Sequence, residues 1–322
     1  MRIITDSWHS RQLPHGTVAA IGNFDGIHRG QRAIFDRVTE RAGEKGLQSV
    51  VVTFEPHPVS VLRPDEAPPR LTTLEQKSKL LEDIGVDVLA VVSFTADFSQ
   101  TPAEVFVEEF LHRRLGVDEI VVGSRFAFGR QRGGDLELLE RMAVQLGFEV
   151  RGIEEVQFRG EPISSTRIRR AVRAGELEEA YAMLDRSYSI RGLVSRGEGR
   201  GKTLGWPTIN IEPQSDLLPA DGVYVSKVEF PQLGSVHGCV TNIGCRPTFP
   251  DGPRRVVESH ILDFDQEVYG AEVELHFLER LRDERAFPSG KALAEQIARD
   301  VAEAREYLSS DRCLLERAAA DE

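Results

Sequence analysis

The sequence predicts two domains of unlike class: an α/β domain over residues 1–184, then a β-rich domain over residues 185–322 that ends in a helix. Three observations carry this reading. In the first half, short apolar runs alternate with segments of helical spacing, the pattern of a doubly wound, mostly parallel sheet. From Ser187 to Glu279 the helical spacing disappears, and β-rich segments separated by Gly, Pro, Asn and Asp follow one another, as in an antiparallel barrel or sandwich. The length of 322 residues gives room for about two cores.

The elements follow in order. Strands are expected at Val18–Ile21, Ser49–Phe54, Val86–Val92, Glu119–Val122 and Phe148–Ile153, each apolar on both faces. Helices are expected at Gln31–Glu44, Leu74–Asp83, Pro102–Leu115 and Leu136–Leu146. Thr101 reads as an N-cap, with Pro102 at the first helical position and Glu104 at the third. Helices over Ile163–Ala174 and Glu176–Leu184 close the first half. The β-rich segments are Tyr188–Val194, Thr208–Ile211, Gly222–Val228, Val236–Asn242, Val256–Leu262 and Glu272–Leu278. A last helix spans Ser289–Leu308, and the charged, Ala-rich tail after Ser309 is expected to fray.

Composition narrows the function classes. The fractions of 40% apolar and 29% charged residues are those of a globular protein. No apolar run approaches the roughly 18 residues that cross a bilayer, and the N-terminus lacks a secretory pattern. Cys239, Cys245 and Cys313 are scattered, against a disulfide framework and against a Cys-based zinc site. A cytoplasmic location is the expectation. The net charge of −12 argues against nucleic-acid and membrane partners. It leaves room for a small anionic nucleotide held by local arginines.

Candidate chemistry lies where strands end, because ligands of doubly wound sheets sit beyond the carboxyl ends of the strands. The first stretch is Gly22-Asn23-Phe24-Asp25-Gly26-Ile27-His28-Arg29-Gly30, between a strand and a helix. Such a turn presents backbone N–H groups to phosphate, and His28 adds a donor for developing charge. Next, Thr53-Phe54-Glu55-Pro56-His57-Pro58 aims an imidazole from between two prolines. The stretch from Gly123 to Asp135 sets Phe126 and Phe128 among glycines and arginines, suited to a planar, anionic ligand. Ser164, Ser165 and Thr166 precede Arg167 at a helix start, where hydroxyls either cap the helix or join Arg167 in holding an anion.

The β-rich half has its own set. Gly197, Gly199 and Gly201 alternate with Arg200 and Lys202 in a cationic loop fit for phosphates, or a simple Gly-rich hairpin. Thr208 and Asn210, two apart on a strand, face one side and offer hard oxygen ligands suited to Mg²⁺. Glu258, in Val256-Val257-Glu258-Ser259-His260, shares a face with His260 and is a candidate general base for a hydroxyl nucleophile.

These motifs, in this order along nearly the whole chain, resemble the bacterial bifunctional riboflavin kinase/FAD synthetase family. Asn242-Ile243-Gly244-Cys245-Arg246-Pro247-Thr248-Phe249 and Leu281-Arg282 to Phe287 add to the match. The resemblance implies a Rossmann-like nucleotidyltransferase domain followed by a six-stranded antiparallel β-barrel of the riboflavin kinase kind. It implies ATP-dependent phosphorylation of riboflavin to FMN in the barrel and adenylylation of FMN to FAD, with release of pyrophosphate, in the first domain. It implies Mg²⁺ on Thr208 and Asn210, Glu258 as proton acceptor, and ATP on Gly197, Gly199, Gly201, Lys202 and Asn242. Arg282 and Phe287 would hold the flavin there. In the first domain it implies ATP on Gly22–Gly26, His28, Gly30 and Ser164–Arg167, with His28 and Arg167 stabilising phosphate charge. His57, Phe126 and Phe128 would meet the flavin. Partners are riboflavin, FMN and ATP, with a weak homo-oligomer as a further expectation.

The sequence departs from the family pattern at three points. Gln31 stands where a second His is usual, and Gln donates a hydrogen bond but carries no charge. Ser124-Arg125 replaces an acidic residue before the Phe-x-Phe-Gly run, and Trp206 replaces a Phe. Gln31 is the feature that would favour a monofunctional riboflavin kinase with a degenerate first domain. A non-catalytic flavin-responsive regulator is opposed by the intact Thr208, Asn210 and Glu258.

Overall fold

The computed structural model describes residues 1–196, 201, 205–246 and 254–310, and the chain divides into two compact units, Met1–Ser164 and Ser165–Glu322. The first unit is built on a six-stranded sheet in the order β1-β4-β3-β2-β5-β8, every neighbouring pair parallel. Its strands are β1 (Arg2–Ile4), β2 (Thr17–Ile21), β3 (Gln48–Glu55), β4 (Val88–Ser93), β5 (Val117–Gly123) and β8 (Glu149–Ile153). Short hairpins pair β6 (Ala127–Phe128) with β7 (Gly134–Asp135) and β9 (Gln157–Phe158) with β10 (Glu161–Pro162). The edge strand β1 is not anticipated by the sequence; with three residues and only Ile4 buried, it shows no period.

Both sheet faces are covered, which is why β2 is buried at all five positions. Val18 and Ala20 pack with Phe35 and Val38 of α1 (Arg29–Lys45) and Leu81 of α3 (Leu74–Asp83); α2 (Pro58–Leu62) is a short, half-buried helix. Ala19 and Ile21 pack with Phe110 and Leu111, and with Leu139 and Met142 of α5 (Leu136–Leu146). The segment expected as one helix over Pro102–Leu115 differs. It starts at Ala103 as α4 (Ala103–Val105) and continues as a π-helix over Phe106–Arg114. Pro102 rather than Thr101 takes the cap position, because the Thr101 carbonyl accepts the Arg130 N–H at 2.9 Å. Trp8 stacks on Phe106 and Phe110 of the π-helical turns.

The order places β3 on one side of β2 and β5 on the other. The direction of winding therefore reverses beside β2, and a crevice opens at the carboxyl ends of β2 and β5, where doubly wound folds bind ligands.

The second unit starts with α6 (Ser165–Ala174) and α7 (Leu177–Leu184). The predicted start of α6 at Ile163 moves two residues on, since Ile163 donates its N–H to the Val156 carbonyl at 2.9 Å. Six antiparallel strands close into a barrel in the order β11-β12-β15-β14-β13-β16. They are β11 (Tyr188–Ser195), β12 (Ile209–Pro213), β13 (Gly222–Phe230), β14 (Ser235–Arg246), β15 (Arg254–Ile261) and β16 (Glu272–Arg282). The barrel, not the sandwich, is thus the outcome. Tyr224, Phe230 and Phe277 are fully buried, and Tyr224 meets Phe277 edge-on. On β13, Val223 and Val225 alternate with Tyr224 and, with Val240, pack against Val301 and Ala304 of α8 (Gly290–Ser309). Ser289 caps α8 by accepting the Ala292 N–H at 3.2 Å.

Candidate active sites

In the first unit the turn after β2 is tightly determined. Phe24, Gly26 and Ile27 have φ of 44°, 101° and 43°. A β-branched residue in the left-handed region is strained, and the neighbours must hold it there. Asp25 does this: its buried carboxylate accepts the Leu71 N–H at 3.0 and 3.1 Å and the Thr72 N–H at 3.1 Å. The Gly26 N–H donates to Thr72 Oγ1 at 3.2 Å. Gly is favoured at position 26 because its φ of 101° is one that L side chains rarely adopt, and an added Cβ would also lie 2.8 Å from Leu71 Cδ1.

His28 is the N-cap of α1. Its Nδ1 accepts the Gln31 N–H at 3.3 Å, and Gln31 Oε1 accepts the His28 N–H at 3.2 Å. This is a capping box with His in the Ser/Thr role. Position 31 is therefore occupied in fixing the turn, and the neutral His28 ring carries its proton on Nε2. His57 likewise caps α2 through Nδ1, 3.2 Å from the Val59 N–H, next to the cis Glu55–Pro56 bond. Ser164 is the last residue of the first unit; Ser165, Thr166 and Arg167 open α6.

Beneath the turn lies Lys77, which sequence reasoning missed. It is 5% exposed, and its Nζ donates to the Asn23 carbonyl at 2.8 Å and to Thr53 Oγ1 at 3.2 Å. Burial pushes its ammonium down to about 8, against the opposing pull of the Asp25 and Glu55 carboxylates. The signal for it was present: Lys77 sits four residues before the buried Leu81, on the core stripe of α3.

A cavity of about 370 Å³ opens beside the turn. Gly22 and Asn23 form one rim, and Arg125, Gln131 and Arg132 line it from the loop after β5. Its apolar wall holds the predicted Phe126 and Phe128, stacked at 5.1 Å, and also Phe54, Phe94, Phe98 and Phe106. Pro58 and Leu62 line it, while His57 does not. The size and the aromatic wall suit a planar ring system with a polar tail. Phe94 and Phe98 follow the carboxyl end of β4, so the strand-end rule pointed to them.

In the second unit a cavity of about 540 Å³ lies on the outer barrel wall under α8. Glu258 pairs in register with Asn210 on one side and Asn242 on the other, so the three share one row of the wall and all line the cavity. Thr208 and His260 line it too. His260 Nδ1 donates to the Pro207 carbonyl at 2.7 Å and its ring meets Trp206 edge-on, pinning the segment that carries Thr208. The predicted strand over Thr208–Ile211 starts one residue later, at Ile209. Gly201 also lines the cavity; a Cβ there would sit 2.3 Å from the Trp206 carbonyl oxygen. Gly197, Gly199 and Lys202 lie outside the described residues.

Arg282 and Phe287 line the same cavity, with the guanidinium 5.6 Å from the ring centre. Asp300 of α8, buried and not foreseen, holds Arg282 by a bidentate pair: Nε to Oδ1 at 3.0 Å and Nη2 to Oδ2 at 2.8 Å. Gln296 Nε2 donates to Asp300 Oδ1 at 2.7 Å. Among the described residues no group of three or more His, Cys, Asp or Glu side chains is placed to hold a metal. The oxygens of Thr208 and Asn210 beside the Glu258 carboxylate are nonetheless the hard, sparse donor set that suits Mg²⁺ shared with phosphate.

Comparison with known proteins agrees with this division. The family model for FAD synthetase matches residues 10–167, and that for riboflavin kinase matches residues 184–308. The bifunctional riboflavin kinase/FMN adenylyltransferase of Escherichia coli K12 is 36% identical over 95% of this chain and 98% of its own. That of Listeria monocytogenes is 37% identical over 95% and 96%. A crystal structure from Streptococcus pneumoniae, described as a macrolide-efflux protein, covers 94% of this chain and 98% of that one at a TM-score of 0.83 and 30% identity. The motifs, the two cavities and these relatives together place the chain in the family of bifunctional riboflavin kinase/FMN adenylyltransferases, to which it belongs.

Proposed function

We propose that the two cavities divide the family's two reactions between them. The chain phosphorylates riboflavin to FMN and adenylylates FMN to FAD. The observation that carries the assignment of the kinase site is the row Asn210–Glu258–Asn242 in the wall of the larger cavity. There the ribityl 5′-hydroxyl of riboflavin attacks the γ-phosphorus of ATP, ADP leaves, and Glu258 takes the hydroxyl proton. Thr208 and Asn210 would hold Mg²⁺, which neutralises phosphate charge. Arg282 and Phe287 hold the flavin, while Gly197–Lys202 and Asn242 meet ATP. Positioning and charge neutralisation are what phosphoryl transfer needs from a protein.

The smaller cavity takes FMN, its ring among Phe126, Phe128 and the other aromatics. The FMN phosphate attacks the α-phosphorus of ATP and pyrophosphate leaves. The attacking oxygen is already anionic, so no protein base is required. The turn Gly22–Gly30 receives phosphates, with His28 donating from Nε2. Ser164–Arg167 is assigned to ATP phosphates by its motif. His57 is assigned to the flavin on the same ground. The functional boundary is proposed at 184/185, a reading supported by the riboflavin kinase family model, which matches from residue 184. The proposal further includes a cytoplasmic chain, a weak homo-oligomer, and no nucleic-acid or membrane partner. An efflux role is not adopted: the family models and curated relatives agree on flavin synthesis, and no described helix is long and apolar enough to cross a membrane.

Single-site variants test the division. Glu258→Gln is expected to lose FMN formation from riboflavin and keep FAD formation from supplied FMN. His28→Ala is expected to show the reverse. Loss of FAD formation in Glu258→Gln with FMN formation intact would overturn the assignment.

A further inference from the structure

We infer that Lys77 is a positioning residue for adenylyl transfer: its buried ammonium group holds the Asn23 carbonyl beneath the turn after β2 and supplies the positive field that the ATP phosphates meet there. The inference rests on the smaller cavity being the adenylyltransferase site.

Four features carry it. Lys77 Nζ, the Asn23 carbonyl and Thr53 Oγ1 form a closed triangle, with Thr53 Oγ1 donating to the same carbonyl at 3.1 Å. Asn23 itself is exposed and stands at the cavity rim, so the carbonyl that Lys77 draws down belongs to the residue that begins the phosphate-facing turn. A carbonyl held inward fixes the peptide plane at the point where the turn that is to face phosphate begins. Second, the site is costly for a mere packing role. A lysine at a position that is 5% exposed loses its hydration, and a methionine would fill the space without that cost.

Third, no carboxylate among the described residues forms an ion pair with Nζ, so the charge is not cancelled by contact. The charged groups that act on it are Asp25 in the turn and Glu55 at the end of β3, which favour the ammonium, and Arg70 before α3, which opposes it. Glu55 and Arg70 are paired with each other at 2.7 Å. Fourth, burial brings the ammonium down to about 8, so its charge is lost within a pH range where the enzyme can be assayed. The neutral amine still has two N–H donors for two acceptors. A pH profile therefore reads the charge, separately from the hydrogen bonds.

The test uses the full chain and measures both reactions in the same buffers, so that FMN formation reports any general effect of pH or Mg²⁺ on ATP. For the wild type, FAD formation relative to FMN formation should fall as pH rises through about 8. Lys77→Arg, which keeps charge and donors, should extend the plateau to higher pH. Lys77→Met should lower kcat/KM for ATP in FAD formation by about 10- to 100-fold, the loss expected for a charged hydrogen-bond donor, with FMN formation unchanged. FAD formation by Lys77→Met within threefold of the wild type overturns the inference. So do wild-type and Lys77→Arg profiles that coincide, and this comparison decides the matter if Lys77→Met does not fold. A wild-type chain that makes FMN but no FAD overturns the site assignment as well, and shows this before any variant is made.

Discussion

Replacing Asp300 by Ala tests how the C-terminal helix supports the proposed kinase cavity. Arg282 lines that cavity and is held by Asp300 through Nε at 3.0 and 3.1 Å and Nη2 at 2.8 Å. The two side chains are 19% and 3% exposed. Removing one member of a buried pair strands the other charge, at about 3–5 kcal/mol. Arg282 keeps some access to water and a bond from Nη1 to the Asp283 carbonyl at 3.1 Å, so the lower end, about 3 kcal/mol, is expected. For a unit of this size that lowers the melting temperature by roughly 6–12 °C. Arg282 would also lose its fixed place above Phe287, so KM for riboflavin should rise while FAD formation from FMN stays unchanged. Calorimetric melting together with riboflavin saturation curves measures both. A melting temperature within 2 °C of wild type (about 0.5–1 kcal/mol) and an unchanged KM would refute the reasoning.

Three further outcomes are expected. Gly26→Ala puts a Cβ at φ 101° and 2.8 Å from Leu71 Cδ1, and should destabilise the first unit by about 1–3 kcal/mol in urea melts and depress FAD formation. Glu258→Gln should lower kcat for FMN formation by about 10²–10⁴, the range for a lost general base, as measured by steady-state kinetics. Lys77 has a folded-state value near 8, below the ordinary 10.5, so the unfolded chain binds more protons between these values and stability should rise with pH across that window. The gain is at most about 3 kcal/mol. Denaturant melts from pH 7.5 to 10.5 should show it in the wild type and lack it in Lys77→Met; equal slopes would count against the buried ammonium.

Elements with a strong period were legible in the sequence. Helices α3 and α5 form over the residues that their spacing indicates, and the alternation along β15 brings Glu258 and His260 to one face. What was not legible depends on partners far along the chain. Gln31 reads as a missing imidazole; in the fold it is half of a capping box with His28, a role that a His cap conceals. Lys77 falls on the core stripe of α3, but the sequence names no partner for it, and the same holds for Asp300 in α8. Each is buried because a specific acceptor or donor comes from another element: the Asn23 carbonyl in one case and the Arg282 guanidinium in the other. The phenylalanines of the smaller cavity come from the ends of β3, β4 and β5 and from the π-helical turns, and only the sheet order brings them together. Pro102 misled because its neighbour Thr101 is engaged with the loop after β6.

The central claim is that one chain carries both reactions at separate sites. The most direct measurement is a chromatographic time course of the full chain with riboflavin, ATP and Mg²⁺. FMN should appear first and FAD after it, with FAD also formed when FMN alone is supplied. FMN accumulating with no FAD at any enzyme concentration would contradict the account.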